Sequence, residues 1–209
     1  MNTAEKDWSK YVEKFDKLQE HIVGNEVMVM LKDEYSKLSD LGNLLELGCG
    51  NGTYTLLIEH AADKITATDC SAGMVKAAEK KLEGKEKIKI QQANCYGLQF
   101  ADASYDSVMM ANVIHVVADP VKAIKETHRV MKPSGTLVIT SFTADGMSFF
   151  NKLALIFKYL ATVGKPPASG TPFGLQSLAE FVKGNGFEVL ESKLIGKTSK
   201  AIFIVAKKK

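Results

Sequence analysis

The sequence predicts an α/β fold, a Rossmann-like and mostly parallel seven-stranded sheet with an antiparallel last strand and helices on both faces. Three observations carry this. An apolar run at Leu44, Leu45 and Leu47 breaks into Gly48, Gly50 and Gly52, as a strand covered on both faces does when it turns tightly into a helix. Strand-like and helix-like stretches then alternate as far as Phe142. Two further apolar or alternating runs, Phe187 to Ile195 and Ala201 to Ala206, close the chain as an antiparallel hairpin.

Length and composition bound the reading. The 209 residues suit one α/β domain with a well-buried core and are short for two. A net charge of +3 is too small to argue for nucleic acid or membrane. No stretch approaches the roughly eighteen apolar residues of a membrane span, so a soluble, cytoplasmic monomer or homodimer is expected. Three cysteines without secretory features imply reduced thiols. Cys49, Cys70 and Cys95 each follow a predicted strand and should share one edge of the sheet. Strands lie about 4.8 Å apart, which makes a metal site conceivable, although small side chains also suit ligand-facing turns.

Taken in order, residues 1–40 read as helix, with Trp8, Tyr11, Phe15, Leu18 and Ile22 at spacings of three and four and a second series after Gly24. At the glycine turn, loss of each Cβ lets backbone approach a ligand and take positive φ. The helix from Thr53 to Ala62 would aim its free N–H groups at an anionic group there. Lys64 to Asp69 is a second strand ending in an acid placed to accept both hydroxyls of a ribose. Ser71 caps a helix from Ala72 to Glu83, which stops at Gly84. Lys87 to Ala93 alternates like a strand, and Asn94-Cys95 follows.

Tyr105 to Ala111 is the fourth strand, running into Asn112, Val113, Ile114 and His115, with Asp119-Pro120 as cap and first residue of a helix over 121–132. Pro133-Ser134-Gly135 turns that helix into a fifth strand, Thr136 to Phe142. Ser148 to Val163 carries Phe149, Phe150, Leu153, Ile156, Phe157 and Leu160 at helical spacing, ordinarily a core stripe. A breaker-rich stretch, 164–174, precedes a helix from Leu175 to Gly184.

A dinucleotide fingerprint is G-x-G-x-x-G, but here the third glycine comes one residue early and Thr53 stands where that fingerprint needs glycine. Glu46, two residues before the turn, would repel a pyrophosphate and attract a cation. The string Leu-Leu-Glu-Leu-Gly-Cys-Gly-Asn-Gly-Thr from Leu44, the acid Asp69, the Tyr-Asp opening of the fourth strand and Arg-Val-Met-Lys-Pro-Ser-Gly-Thr-Leu from Arg129 together resemble the motifs of class I S-adenosylmethionine (SAM) dependent methyltransferases. The resemblance runs from 44 to 142, about half the chain.

It implies one methyltransferase domain over 1–209: a helical cap at 1–40, a cofactor-binding core at 41–143, a helical insertion or lid at 144–175, and a C-terminal helix and hairpin at 175–209. It implies SAM as methyl donor and S-adenosylhomocysteine (SAH) as product. Glu46, Gly48 and Gly50 would serve the amino-acid end, Asp69 the ribose, and Met74, Asn94 and Cys95 the adenine, with Cys49 and Cys70 also among the cofactor-binding residues. Asn112 and Val113 would pass beside the sulfonium. The family usually has aspartate where Asn94 stands, and a neutral acceptor there should bind more weakly.

Tyr11, Phe15, His115 and Phe150 are expected around a small-molecule acceptor, with His115, a group able to titrate near neutrality, as candidate base. No metal is needed, and no nucleic acid or membrane partner is expected. Two other readings stay open, an NAD(P)-dependent Rossmann oxidoreductase and a non-catalytic SAM-binding regulatory protein.

Overall fold

The structure is a computed structural model describing residues 15–164 and 170–209. The expected Trp8 and Tyr11 contacts lie outside the described residues. Seven strands form one sheet: β1 (Asn43–Leu47), β2 (Lys64–Asp69), β3 (Ile88–Gln92), β4 (Tyr105–Ala111), β5 (Met131–Thr143), β6 (Phe187–Ile195) and β7 (Lys200–Lys208). Their order is β3-β2-β1-β4-β5-β7-β6. Only β7 runs against its neighbours β5 and β6, so the expected parallel sheet with an antiparallel last strand is the one found.

Alternation along the strands builds two cores. Leu45, Leu47, Val108, Met110, Leu137 and Ile139 face one side, with Ile124, Leu178 and Val182 from α5 (Pro120–Val130) and α7 (Leu175–Gly184). Leu44, Met109, Val138 and Phe203 face the other, with Val27, Leu31 and Tyr35 from α2 (Asn25–Ser36) and Ile58 from α3 (Thr53–Ile58). Every one of these side chains is buried, and a fully buried leucine, isoleucine or valine contributes about 1.5–3 kcal/mol. Glu46 shares its face with Leu44, which sends a carboxyl into the second core.

Local signals explain most boundaries. Ser71 accepts from Met74 N–H to start α4 (Ala72–Lys81), and Asp119 accepts from Lys122 N–H with Pro120 in first place on α5. The helix expected over 53–62 instead ends at Ile58 and closes in a 3-10 turn, Glu59–Ala61, a tightening common at helix ends. The helix expected to reach Lys132 ends at Val130. Met131 already pairs with Tyr105, and the β4–β5 ladder resumes only at Ser107 and Thr136, so Pro133 to Gly135 bulge within a strand. Ser134 takes φ 59° there.

Two helices remain, α1 (Phe15–Val23) and α6 (Phe149–Thr162), and they touch each other beyond the carboxyl ends of the strands. Among the described residues no helix is long and apolar enough to cross a membrane.

Candidate functional site

The strand order reverses between β1 and β4. In open parallel sheets that crevice, outside the carboxyl ends of the strands, is where ligands bind. A cavity of about 1580 Å³ opens there. It is larger than the roughly 300–1,000 Å³ of most ligand pockets, with room for two ligands side by side.

The turn after β1 forms the floor. Gly48 takes φ +69°, and a Cβ on it would lie 2.3 Å from Val113 Cγ2, so the turn and the loop after β4 pack at glycine distance. Gly52, at φ +84°, likewise leaves no room beside Leu82. Cys49 N–H donates to the Thr68 carbonyl at 2.8 Å, and burial pushes the Cys49 thiol far up, leaving it inert. Asp69 Oδ2 accepts from Gly50 N–H at 3.0 Å and Oδ1 from Ser71 N–H at 2.8 Å. Burial raises this carboxyl despite those bonds. Cys70 also bonds to this carboxyl through its backbone and its side chain, and Asp69 lines the cavity.

Around this floor the cavity wall brings together Phe15, Gly48, Cys49, Gly50, Asp69 and Cys70. Met74, Asn94, Cys95, Asn112, Val113 and His115 complete the expected set that it joins. Several are not used as the sequence suggested. Asn94 Oδ1 already accepts from Tyr96 N–H at 2.9 Å, an Asx turn that occupies part of the expected adenine acceptor. Asn112, at φ 59°, spends its side chain on structure: Oδ1 accepts from Phe142 N–H at 3.0 Å and Nδ2 donates to Tyr54 Oη at 2.9 Å.

Glu46 is not on the cavity wall at all. Fully buried beneath the turn, it accepts from Thr55 Oγ1 at 2.6 Å through Oε2, while Oε1 has no partner. Burial raises its pKa to about 8 against the pull of the Thr55 hydroxyl, and the Asp69 charge adds to the rise. The expected free carboxylate is therefore a protonated acid at neutral pH in this state.

His115 and Phe150 are corrected too. Burial lowers the His115 imidazole to about 4, so it does not titrate near neutrality. Its Nδ1 lies 3.0 Å from Ser141 Oγ. Phe150 is 79% exposed and absent from the wall. It sits on the outer side of α6, whereas Leu155, Ile156, Tyr159 and Leu160 of that helix line the cavity.

Sequence reasoning missed several residues of the site, some on the wall and one behind it. Gln19 lines the cavity with a buried, unpartnered Oε1. Tyr96 Oη accepts from Ala118 N–H at 2.7 Å and ties the loop after β3 to the loop after β4. Asp16 holds α1 against the glycine turn, accepting from Asn51 Nδ2 at 2.9 Å and Thr53 Oγ1 at 2.6 Å and pairing with Lys81 at 2.6 Å. Burial pushes the Asp16 carboxyl up, but those bonds outweigh it and hold the group below its ordinary value. The Asn51-x-Thr53 pair in the turn was the one signal of such a latch.

Residues 45–139 match the model of a methyltransferase domain family. Over this stretch, somewhat less than half of the chain, the sequence is similar to methyltransferase domains. Among curated relatives, the ubiquinone/menaquinone biosynthesis C-methyltransferase UbiE of Geotalea uraniireducens is 32% identical over 131 residues, 59% of this chain and 56% of the relative. The chain spans about half the length of the curated relatives it matches. Solved structures share the fold across nearly the whole chain. A SAM-dependent methyltransferase from Aquifex aeolicus superposes with TM-score 0.71 at 20% identity, covering 98% of this chain and 100% of the other. A Haloferax volcanii methyltransferase solved in complex with the Trm112 activator superposes with TM-score 0.75 at 16% identity, covering 97% of each.

Proposed function

We propose that the protein transfers a methyl group from SAM to a small acceptor with a largely apolar body. The observation that carries this reading is the two-part wall of the cavity. One part is the glycine turn with Asp69 and Met74, the other the apolar set of Ile156, Tyr159, Leu160, Phe142 and Phe173.

The first part fits the donor chemically. Gly48 offers bare backbone where any side chain would collide, Asp69 lines the cavity with a carboxyl for ribose hydroxyls, and buried Met74 offers a soft apolar surface for a purine. When bound, SAM supplies an electrophilic methyl group that needs only alignment with a nucleophile and exclusion of water. Asn94 retains a second lone pair for the adenine amino group, and Glu46 would act on the donor's ammonium through water from beneath the turn.

The chain's own groups then position the acceptor. A neutral His115 places no second positive charge beside a cationic donor, and its ring can hydrogen-bond an acceptor hydroxyl. It is too weak a base to hold a phenol's proton, so we assign it to orientation. Phe15 and the α6 residues close the apolar half against water. The match to UbiE proteins supports a quinol-type or similarly lipophilic acceptor. Three free cysteines suit a reducing cytoplasmic setting.

Calorimetric titration with SAM, SAH and NADH, repeated on Asp69→Ala, tests the donor site. Binding of SAM and SAH that the variant loses, with silence from NADH, is the expected result; NADH binding alone would restore the oxidoreductase reading. Turnover of radiolabelled SAM with a prenylated hydroquinone then tests the acceptor class, and persistent lack of turnover across lipophilic acceptors would favour a SAM-binding regulatory protein.

A further inference from the structure

A surface helix ordinarily turns its apolar stripe toward the core. Helix α6 does the reverse. It buries no residue, and Asn151, Leu155 and Tyr159 make up its partly covered side. Phe149 (73% exposed), Phe150, Leu153, Ile156, Phe157 (65%) and Leu160 stand on the opposite side. At 100° per residue those six occupy an arc of only about 120°, so they form one continuous stripe. Phe149 and Phe150 touch each other, ring centroids 5.8 Å apart. On the same wheel exposed Lys152 and Lys158 lie about 40° and about 80° beyond the two edges of the stripe.

We propose that α6 docks this face on an anionic lipid surface, lying in the plane of the interface without spanning it. A short helix with an outward apolar stripe and lysines at its flanks matches that setting, because aromatic and aliphatic side chains enter the acyl boundary while the lysines reach back to phosphates. The charge complementarity is specific to an anionic bilayer: a second copy of the same face would set Lys152 and Lys158 against lysines. The stripe is also continuous with the cavity, since Ile156 and Leu160 belong to both. A lipophilic acceptor held in the bilayer would thus reach the site without crossing water. That last step rests on the proposed methyltransferase reading; the docking itself does not. The inference departs from the expectation of no membrane partner.

Co-sedimentation with phosphatidylcholine vesicles, with and without one-third phosphatidylglycerol, tests it in the absence of SAM or acceptor. Binding is expected to the anionic vesicles, weakened by 0.5 M salt, and reduced at least tenfold in F150S/F157S. Each lysine near an anionic surface should add roughly fivefold, so K152Q/K158Q should bind about 25-fold more weakly. Unchanged thermal midpoints in both variants would show that folding is intact. No binding at millimolar lipid, or equal binding by wild type and F150S/F157S, would overturn the proposal. So would a lipid-free dimer, seen by light scattering and abolished by F150S/F157S, which would assign the face to a second copy. Vesicle binding without methyl transfer would leave the docking intact and refute only the enzymatic reading.

Discussion

Replacing Glu46 by glutamine should make the protein more stable at neutral pH, although it alters the residue at the centre of the glycine motif. The carboxyl is fully buried, bonded only through Thr55 Oγ1 at 2.6 Å, and raised from an ordinary 4.5 to about 8. Because the folded value lies above the unfolded one, Glu46 contributes its full stability below pH 4.5. That contribution is lost as pH rises toward 8 and is constant beyond it. At about 1.36 kcal/mol per pH unit, holding the proton at pH 7 costs on the order of 3 kcal/mol. Glutamine keeps the acceptor for Thr55 and needs no proton. Its amide leaves an extra buried N–H without a partner, costing about 1 kcal/mol, so a net gain of about 2 kcal/mol is expected at pH 7 and little at pH 5. Urea unfolding of both proteins at pH 5, 7 and 8.5 reads this directly. A variant less stable than wild type at pH 8.5, or a gap that does not widen with pH, would refute the placement of a protonated Glu46 beneath the turn. The same variant probes the donor site: if SAM's ammonium draws the carboxyl into its ionised form through water, binding at pH 7 releases a proton. The calorimetric heat then depends on the buffer in wild type and not in Glu46→Gln.

Gly48→Ala should cost about 2–5 kcal/mol, the sum of roughly 1–2 for a side chain at φ +69° and roughly 1–3 for overlap with Val113 Cγ2. Adding Val113→Ala should recover the overlap part alone, and a denaturation cycle showing no coupling between the two would remove that contact. At Asn112, glycine should be about 1 kcal/mol less damaging than alanine, because glycine tolerates φ 59° while both lose the bonds to Tyr54 and Phe142; equal losses in urea unfolding would mean the backbone is unstrained. For His115, held near 4, the turnover–pH curve should show no step between pH 5.5 and 8 that disappears in His115→Gln. Such a step, near pH 6.5, would reinstate it as a base.

The sheet was legible in the sequence because its signals are local. A buried strand ending in glycines, an acid closing β2, Ser71 and Asp119 as caps and a terminal apolar hairpin each state their own geometry within ten residues. Errors fall where local signals compete. Pro133 and Gly135 read as a turn, yet β4 recruits Met131 into the ladder and turns the same residues into a bulge. The side-chain assignments needed information that spacing does not hold. Glu46 alternates with Leu45 and Leu47, so the pleat sends it to the face under α2 and α3; its identity suggested a cation, while its parity put it in the core. The α6 stripe shows the same limit. Periodicity locates an apolar face but carries no direction, and the assumption that it turns inward failed for Phe150.

Asn112 ties the proposed donor and acceptor halves of the cavity to each other. Its backbone N–H donates to the Thr140 carbonyl at 2.7 Å, its side chain reaches Phe142 on β5 and Tyr54 on α3, and its neighbour Val113 closes on Gly48. Phe142 lines the cavity, and Ser141 beside it meets His115. A shift of the glycine turn of even a few tenths of an ångström must therefore move Val113 or strain Asn112, and through Asn112 it reaches the β5 end that carries the acceptor wall. Close-packed contacts transmit such displacements and do not absorb them. Donor binding at the turn should consequently order the acceptor wall, and the free energy of that coupling must appear equally when the two ligands bind in the reverse order. An acceptor analogue that binds with the same affinity in the presence and absence of SAH would show that the bridge through Asn112 transmits nothing.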